Sequence, residues 1–167
     1  MSSAPPHKIY DELISAVGSA CQAHYGNRLI SVAVFGSVGR GTPSRDSDID
    51  LLIVADPLPL GRVARSDEFA EVEKTVEPLL AGAREVGLSP ELSAVFKTPA
   101  EVSAGSPLFL DMLEDARIVL DRDGFLREAF DAFAARLARL GARRIWRGNN
   151  WFWDLKPDYK PGEVFEL

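Results

Sequence analysis

Two apolar runs constrain this chain more than any other feature of its sequence. Residues Leu29–Phe35 read LISVAVF, and residues Asp48–Val54 read DIDLLIV with both charges at the start. Short runs rich in β-branched and aliphatic side chains, without polar alternation, are typical of strands buried on both faces of a sheet. The sequence therefore predicts two buried strands that lie next to each other in the chain, with a short loop between them.

Helical patterns alternate with these strands. Apolar residues recur at three- and four-residue spacing in three segments, about 8–24, 62–84 and 124–140. Two further segments predict a third and a fourth strand, Glu91–Phe96 and Arg117–Leu120. Two short helices are predicted between them, one opened by a capping box at Thr98–Glu101 and one running from Ser106–Pro107 through Met112.

Strands that alternate with helices indicate an α+β fold with α/β-like order. We expect a small mixed β-sheet packed with helices mostly on one face, followed by a C-terminal helix and an arm. The chain has 167 residues, which suits one domain over 1–167. We expect its core over about 8–120, the C-terminal helix over about 124–140 and the tail over 143–167.

Charge and composition exclude several classes of protein. Lys and Arg number 19 against 25 Asp and Glu, so the net charge is −6, and a general nucleic-acid or membrane-surface binder is not expected. No run approaches the roughly 18 apolar residues of a membrane span, and the first residues lack a secretion signal, so we expect a cytoplasmic protein. One cysteine and two histidines give neither a disulfide nor a familiar zinc spacing.

Paired carboxylates open the second apolar run. Asp48 and Asp50 stand two residues apart, so on a strand both side chains point to the same side. Two like charges beside an apolar core are costly unless a cation lies between them. Mg²⁺ suits such a pair because it takes oxygen ligands and keeps positions open for phosphate oxygens.

A Gly-Ser turn directly follows the first apolar run. Gly36 allows a ligand to approach the backbone closely, and Ser37 adds a hydroxyl that we expect to cap a short helical turn. Free backbone N–H groups at such a turn bind phosphate oxygens. Together with the paired aspartates, the turn predicts a triphosphate–metal site for nucleotidyl transfer, in which an acceptor attacks the α-phosphorus in line.

These residues also carry a resemblance to a known family. The segment Phe35–Gly41 (FGSVGRG), followed by Ser47–Leu51 (SDIDL), resembles the signature of the nucleotidyltransferases related to DNA polymerase beta. It looks most like their minimal nucleotidyltransferase (MNT) branch. The resemblance implies the nucleotidyltransferase fold, a triphosphate held by the Gly-Ser turn and Mg²⁺ bound by Asp48 and Asp50, with ATP as substrate.

The resemblance implies roles for three further residues. Glu91 is the candidate for the family's third carboxylate, which binds metal or acts as general base, although aspartate is commoner there. Arg40 matches a common position and would pair with a phosphate; its alternative is a surface arginine that balances Asp46. Ser47 also matches, and would either reach the nucleotide or close the loop by bonding to the backbone.

The acceptor is open to three hypotheses. MNT proteins are commonly paired with a small HEPN-type toxin, so the resemblance implies AMP transfer to a tyrosine of such a partner, in an antitoxin role. A non-catalytic antitoxin or binding module of the same fold is the first alternative. A small-molecule nucleotidyltransferase of the aminoglycoside type is the second. The tail, rich in Trp and Arg, would pack on the body, bind a protein partner or offer a stacking platform for a base.

Overall fold

A computed structural model describes residues 6–148 and 150–165; the ends of the predicted domain, residues 1–5 and 166–167, lie outside these ranges. The helices within the described residues are α1 (Pro6–Tyr25), α2 (Gly36–Gly39), α3 (Arg62–Glu85), α4 (Pro99–Ser103), α5 (Phe109–Asp115) and α6 (Phe125–Leu140). The strands are β1 (Leu29–Phe35), β2 (Ile49–Ala55), β3 (Leu92–Lys97), β4 (Arg117–Asp121), β5 (Arg143–Arg147) and β6 (Asn150–Asp154). No helix in this part of the chain is both long enough and apolar enough to span a membrane.

Four strands form the central sheet, in the order β3-β2-β1-β4. Strand β1 runs antiparallel to β2 and to β4, whereas β2 and β3 are parallel. The predicted mixed sheet and α+β class are therefore confirmed. The two apolar runs occupy the central positions, as their burial on both faces requires.

Helices cover both faces of this sheet, so the expectation of cover mostly on one face is wrong. One core cluster joins α1 and α3 to alternate residues of β2 such as Leu51 and Ile53. The second cluster joins α4, α5 and α6 to the other set of alternate β2 residues, which includes Leu52 and Val54. The physical reason is the two-residue period of a strand, since a run without polar residues has an apolar side chain to bury on each face.

The short helices before β4 agree with the sequence in one case and depart from it in the other. The capping box of α4 is confirmed, because Thr98 accepts a hydrogen bond from the Glu101 N–H and Glu101 accepts one from the Thr98 N–H. The predicted start at Ser106–Pro107 is wrong, and α5 begins at Phe109. The Ser106 carbonyl instead accepts the Phe109 N–H at 2.9 Å, which makes a separate turn ahead of the helix.

The tail forms an antiparallel hairpin of β5 and β6 that is fixed to the body. The guanidinium of Arg144 lies 5.1 Å from the ring centre of Trp146 and 4.9 Å from that of Trp151, and it forms an ion pair with Glu114 on α5. Trp153 packs against the core cluster that α6 helps to form. These contacts favour packing for this tail, because Arg144 and Trp153 both attach it to the body.

Candidate active site

The paired aspartates lie where β2 begins. Asp48 precedes the strand and is exposed, whereas Asp50 is its second residue and is half-buried. Burial, and then the charge of Asp48, raise the pKa of Asp50, while a hydrogen bond from the Ser93 hydroxyl on β3 lowers it in part. No described Lys, Arg or His forms an ion pair with either aspartate. The pair therefore carries negative charge that nothing in the described protein neutralises.

The Gly36 bend contacts this carboxylate directly. Gly36 has a φ of +68°, in the left-handed region, and a Cβ placed there would lie 2.5 Å from Oδ2 of Asp50. Phe35, the residue before the bend, pairs with Asp50 across β1 and β2. Only glycine combines this φ with so close an approach. The bend and the carboxylates, brought together here, are the two halves of the site predicted from the sequence.

Three hydroxyls hold the loop that joins the bend to the aspartates. Ser47 is 8% exposed, and its Oγ accepts hydrogen bonds from the Ser37 hydroxyl and from the Ser44 N–H, both at 2.9 Å. The Tyr10 hydroxyl on α1 donates to the Ser47 carbonyl at 2.7 Å. The loop-closing bond predicted for Ser47 is thus present. The predicted cap by Ser37 is wrong, because α2 has Phe35 at its N-cap and no side-chain bond there.

Arg40 lies at the end of α2 and forms an ion pair with Asp115 on α5. The alternative that it balances Asp46 is wrong, because the structure gives Arg40 this other carboxylate. Asp115 is 8% exposed, and its charge, second to burial, raises the pKa of neighbouring Asp111. Nearly half of the Arg40 side chain, 46%, remains accessible to solvent, and its role as a phosphate ligand stays a prediction.

Glu91 lies beside Asp48, just before β3 begins. Its carbonyl accepts the Ile49 N–H at 2.8 Å, and the parallel register continues with Asp50 opposite Ser93. The Glu91 side chain is exposed. Among the described residues, no three His, Cys, Asp or Glu side chains are grouped closely enough to hold a metal ion. The third-carboxylate role of Glu91 therefore stays a prediction.

Comparison with known proteins identifies the family. A family model described as a nucleotidyltransferase domain matches residues 14–119 of the 167. The chain belongs to the nucleotidyltransferase domain family. The matched region runs from α1 to β4 and includes every residue that the sequence singles out for the site. Membership supports enzymatic nucleotidyl transfer by this chain.

Individual proteins are similar over most of the chain. A relative from Methanocaldococcus jannaschii that carries a provisional protein adenylyltransferase name is 27% identical over 146 residues, 86% of this chain and 94% of the relative. A toxin–antitoxin crystal structure with AMP-PNP aligns with a TM-score of 0.47 and 15% identity, over 77% of this chain and 92% of that one. The structure of a tri-AMPylated Shewanella oneidensis HEPN toxin in complex with an MNT antitoxin aligns with a TM-score of 0.45 and 12% identity. This alignment covers 79% of this chain and 92% of that one.

The donors of this nucleotidyltransferase domain fit a hard divalent cation. Asp48 and Asp50 supply carboxylate oxygens, the type of ligand that such ions prefer. Burial raises the pKa of Asp50 most, and repulsion by the charge of Asp48 raises it further. A cation between them would remove that repulsion, and the backbone of Gly36 leaves room beside Oδ2 because it carries no side chain.

Sequence reasoning missed three residues of the site. Ser93 lies opposite Asp50, two residues after Glu91. Because alternate residues of a strand share one face, the predicted place of Glu91 in the site could have pointed to Ser93 as well. No local sequence signal marked Tyr10 or Asp115. Tyr10 bonds to Ser47 across 37 residues of chain, and Asp115 bonds to Arg40 across 75. Contacts at such separations depend on the fold and leave no local pattern.

Proposed function

We propose that this protein transfers AMP from ATP to the hydroxyl of a tyrosine on a partner protein, with Mg²⁺ as the metal. The observation that carries the proposal is the unneutralised pair Asp48 and Asp50 packed against the Gly36 bend. Membership of the nucleotidyltransferase family and the name of the archaeal relative support the reaction. A HEPN-type toxin is the partner we propose, from the resemblance of the sequence to the MNT branch, and the role is then that of an antitoxin.

The proposed reaction makes one bond to phosphorus and breaks one. The acceptor oxygen attacks the α-phosphorus, the bond to the oxygen that bridges the α- and β-phosphates breaks, and pyrophosphate leaves. The hydroxyl proton passes to the carboxylate of Glu91, the predicted third carboxylate. Mg²⁺, when bound, supplies positive charge that stabilises the attacking and leaving oxygens.

The chain's own residues would position the reactants. Asp48 and Asp50 would hold the metal, and the Ser93 hydroxyl orients the carboxylate of Asp50. The backbone at Gly36 and Ser37 would approach the triphosphate, and Arg40, still paired with Asp115, would contact a phosphate through its exposed side. Ser47 supports the bend through its bond to Ser37. ATP is available in the cytoplasm, which is the compartment we propose.

A labelling experiment tests this function. Purified protein is incubated with α-labelled ATP, Mg²⁺ and the product of the neighbouring gene, and label on that partner is measured. We expect labelling by the wild type, none with chelator, and a loss of at least about a hundredfold in Asp48→Asn. Asp46→Asn is the matched control, because this aspartate is exposed and lies outside the carboxylate pair. Equal labelling by wild type and Asp48→Asn, or no label in any sample, would contradict the proposal.

A non-catalytic antitoxin is the second candidate. It is favoured by the arrangement of Glu91, whose carboxylate does not join the aspartates in a cluster of three among the described residues. The two functions separate in a growth assay in which the partner is toxic. If a double variant, Asp48→Asn with Asp50→Asn, neutralises the partner fully, binding alone is sufficient and catalysis is not needed.

A further inference from the structure

A cleft of about 460 Å³ runs along the outer edge of β3. It is bounded by the first turn of α3, by β3 and by α4, through residues that include Arg62, Arg65, Ala94, Lys97 and Glu101. No strand pairs with this edge within the described residues, since β3 ends the sheet on that side. The cleft therefore combines basic side chains with an open strand edge.

The hydrogen-bond register shows which backbone groups face the cleft. The Ile49 N–H donates to the Glu91 carbonyl, so in this parallel ladder the odd-numbered residues of β3 bond to β2. The N–H and C=O groups of Leu92, Ala94 and Phe96 consequently point outward. Arg65 already donates to the Phe96 carbonyl at 3.1 Å and to both oxygens of Glu101. The outward groups of Leu92 and Ala94 are left for another chain.

The charges beside this edge select for an acidic ligand. Glu101 forms an ion pair with Arg65, and the charge of Lys97 also acts on Glu101, so one carboxylate faces the three cations Arg62, Arg65 and Lys97. The cleft thus has a positive rim on a chain with a net charge of −6. Electrostatic complementarity of this kind gives specificity to an association.

The open edge is continuous with the active site. Ala94 follows Ser93, whose hydroxyl bonds to Asp50, so the edge and the carboxylates are separated only by the width of β3. A strand added to β3 would lie about 10 Å from β2, two strand spacings away. A long side chain on that strand would extend over the small, exposed Ser93 toward Asp50, and tyrosine carries its hydroxyl at the tip of such a side chain.

We propose that this cleft binds an extended acidic segment of the acceptor protein as a fifth strand beside β3, which presents the acceptor tyrosine to Asp50. The proposal rests on the function proposed above. Strand addition supplies main-chain hydrogen bonds, and Arg62 and Lys97 select the acidic side chains. The edge thereby acts as the acceptor subsite of the enzyme.

The test uses a fluorescent, glutamate-rich random copolymer of glutamate and tyrosine as the peptide. Its binding is measured by anisotropy without ATP, and its labelling is measured with α-labelled ATP and Mg²⁺. Ala94→Pro removes an outward N–H at a position where an edge strand tolerates proline, and Ala94→Val is its matched control because it keeps that donor. Arg62→Glu reverses a rim charge, and Arg139→Glu on α6 reverses an exposed charge outside the cleft.

We expect Ala94→Pro and Arg62→Glu each to weaken copolymer binding about tenfold and to raise the KM for copolymer, with kcat and the KM for ATP unchanged. Both control variants should bind as the wild type does. Unchanged affinity in both test variants would overturn the subsite, as would equal binding of a lysine–tyrosine copolymer or preferential binding of an RNA oligonucleotide. If the wild type labels the copolymer while both test variants keep full affinity, only the proposed subsite is wrong. If both test variants weaken copolymer binding but the wild type transfers no AMP, the proposed function is wrong.

Discussion

Replacement of Gly36 by alanine tests the geometry on which the active site depends. The variant introduces two costs that can be separated. The first is backbone strain, since a φ of +68° costs an L residue about 1–2 kcal/mol. The second is steric, because the new Cβ would lie 2.5 Å from Oδ2 of Asp50, and relief of such overpacking typically costs about 1–3 kcal/mol. We therefore expect the free energy of unfolding to fall by about 2–5 kcal/mol.

Gly41→Ala is the matched control for the strain alone. Gly41 lies in the same loop with a φ of +77°, and a Cβ there meets nothing within 4 Å. This variant should lose only about 1–2 kcal/mol. The difference between the two variants is the steric contribution of Asp50, and it should disappear when both are made in an Asp50→Ala background.

Urea denaturation followed by circular dichroism measures these free energies, and AMP transfer to the partner measures the effect on the site. Because relief of the contact moves either Asp50 or the bend, we expect Gly36→Ala to lose transfer while Gly41→Ala keeps most of it. Equal destabilisation by the two alanines, or a difference that persists in the Asp50→Ala background, would refute the contact between Gly36 and Asp50.

Three further variants have defined outcomes. Asp50→Asn should abolish transfer, yet its free energy of unfolding at pH 7 should equal or exceed that of the wild type. Because the pKa of Asp50 is raised, the folded wild type is stabilised while Asp50 is protonated, and it loses this stabilisation as pH rises through the folded pKa. Urea titrations at pH 3 and pH 7 check the sign. Glu101→Gln should cost about 0.5–1 kcal/mol at pH 7, because the Glu101 side chain is 40% exposed and solvent screens its ion pair with Arg65. The cost should be small in acid, since the hydrogen bond from Arg65 holds the pKa of Glu101 low and the stabilisation is lost as pH falls through the folded pKa; the same titrations measure it. Arg144→Ala should speed proteolysis of the β5–β6 hairpin and leave transfer unchanged, as two cation–π contacts and the Glu114 pair are lost.

The parts of the fold that depend on local pattern could be predicted from the sequence. The apolar run at Leu29–Phe35 forms a strand with the expected bounds, and the capping box at Thr98–Glu101 opens a helix as expected. The spacing of the Gly-Ser bend and the paired aspartates also predicted that they meet. Each of these features is specified by residues within one element or one short loop.

The parts that depend on distant contacts could not be predicted. Periodicity says that a helix has an apolar side but not which face of the sheet it covers, so the second layer was missed. The partner of Arg40 is Asp115, whose position is set by α5 and not by the loop that contains Asp46. At Ser106, a proline-based start signal was overridden by a tight turn that delays α5 to Phe109.

The order of strands in the sheet separates the proposed catalytic residues from the cleft proposed to bind the acceptor. The carboxylates lie where β2 begins and the bend follows β1 directly. Both strands are hydrogen-bonded along both edges and covered on both faces, so few changes in them are tolerated. The first turn of α3 and the outer edge of β3 are not restricted in this way. A chain built in this way can be redirected to new acceptors by substitutions at its periphery, which makes that margin the place to begin when its specificity is to be engineered.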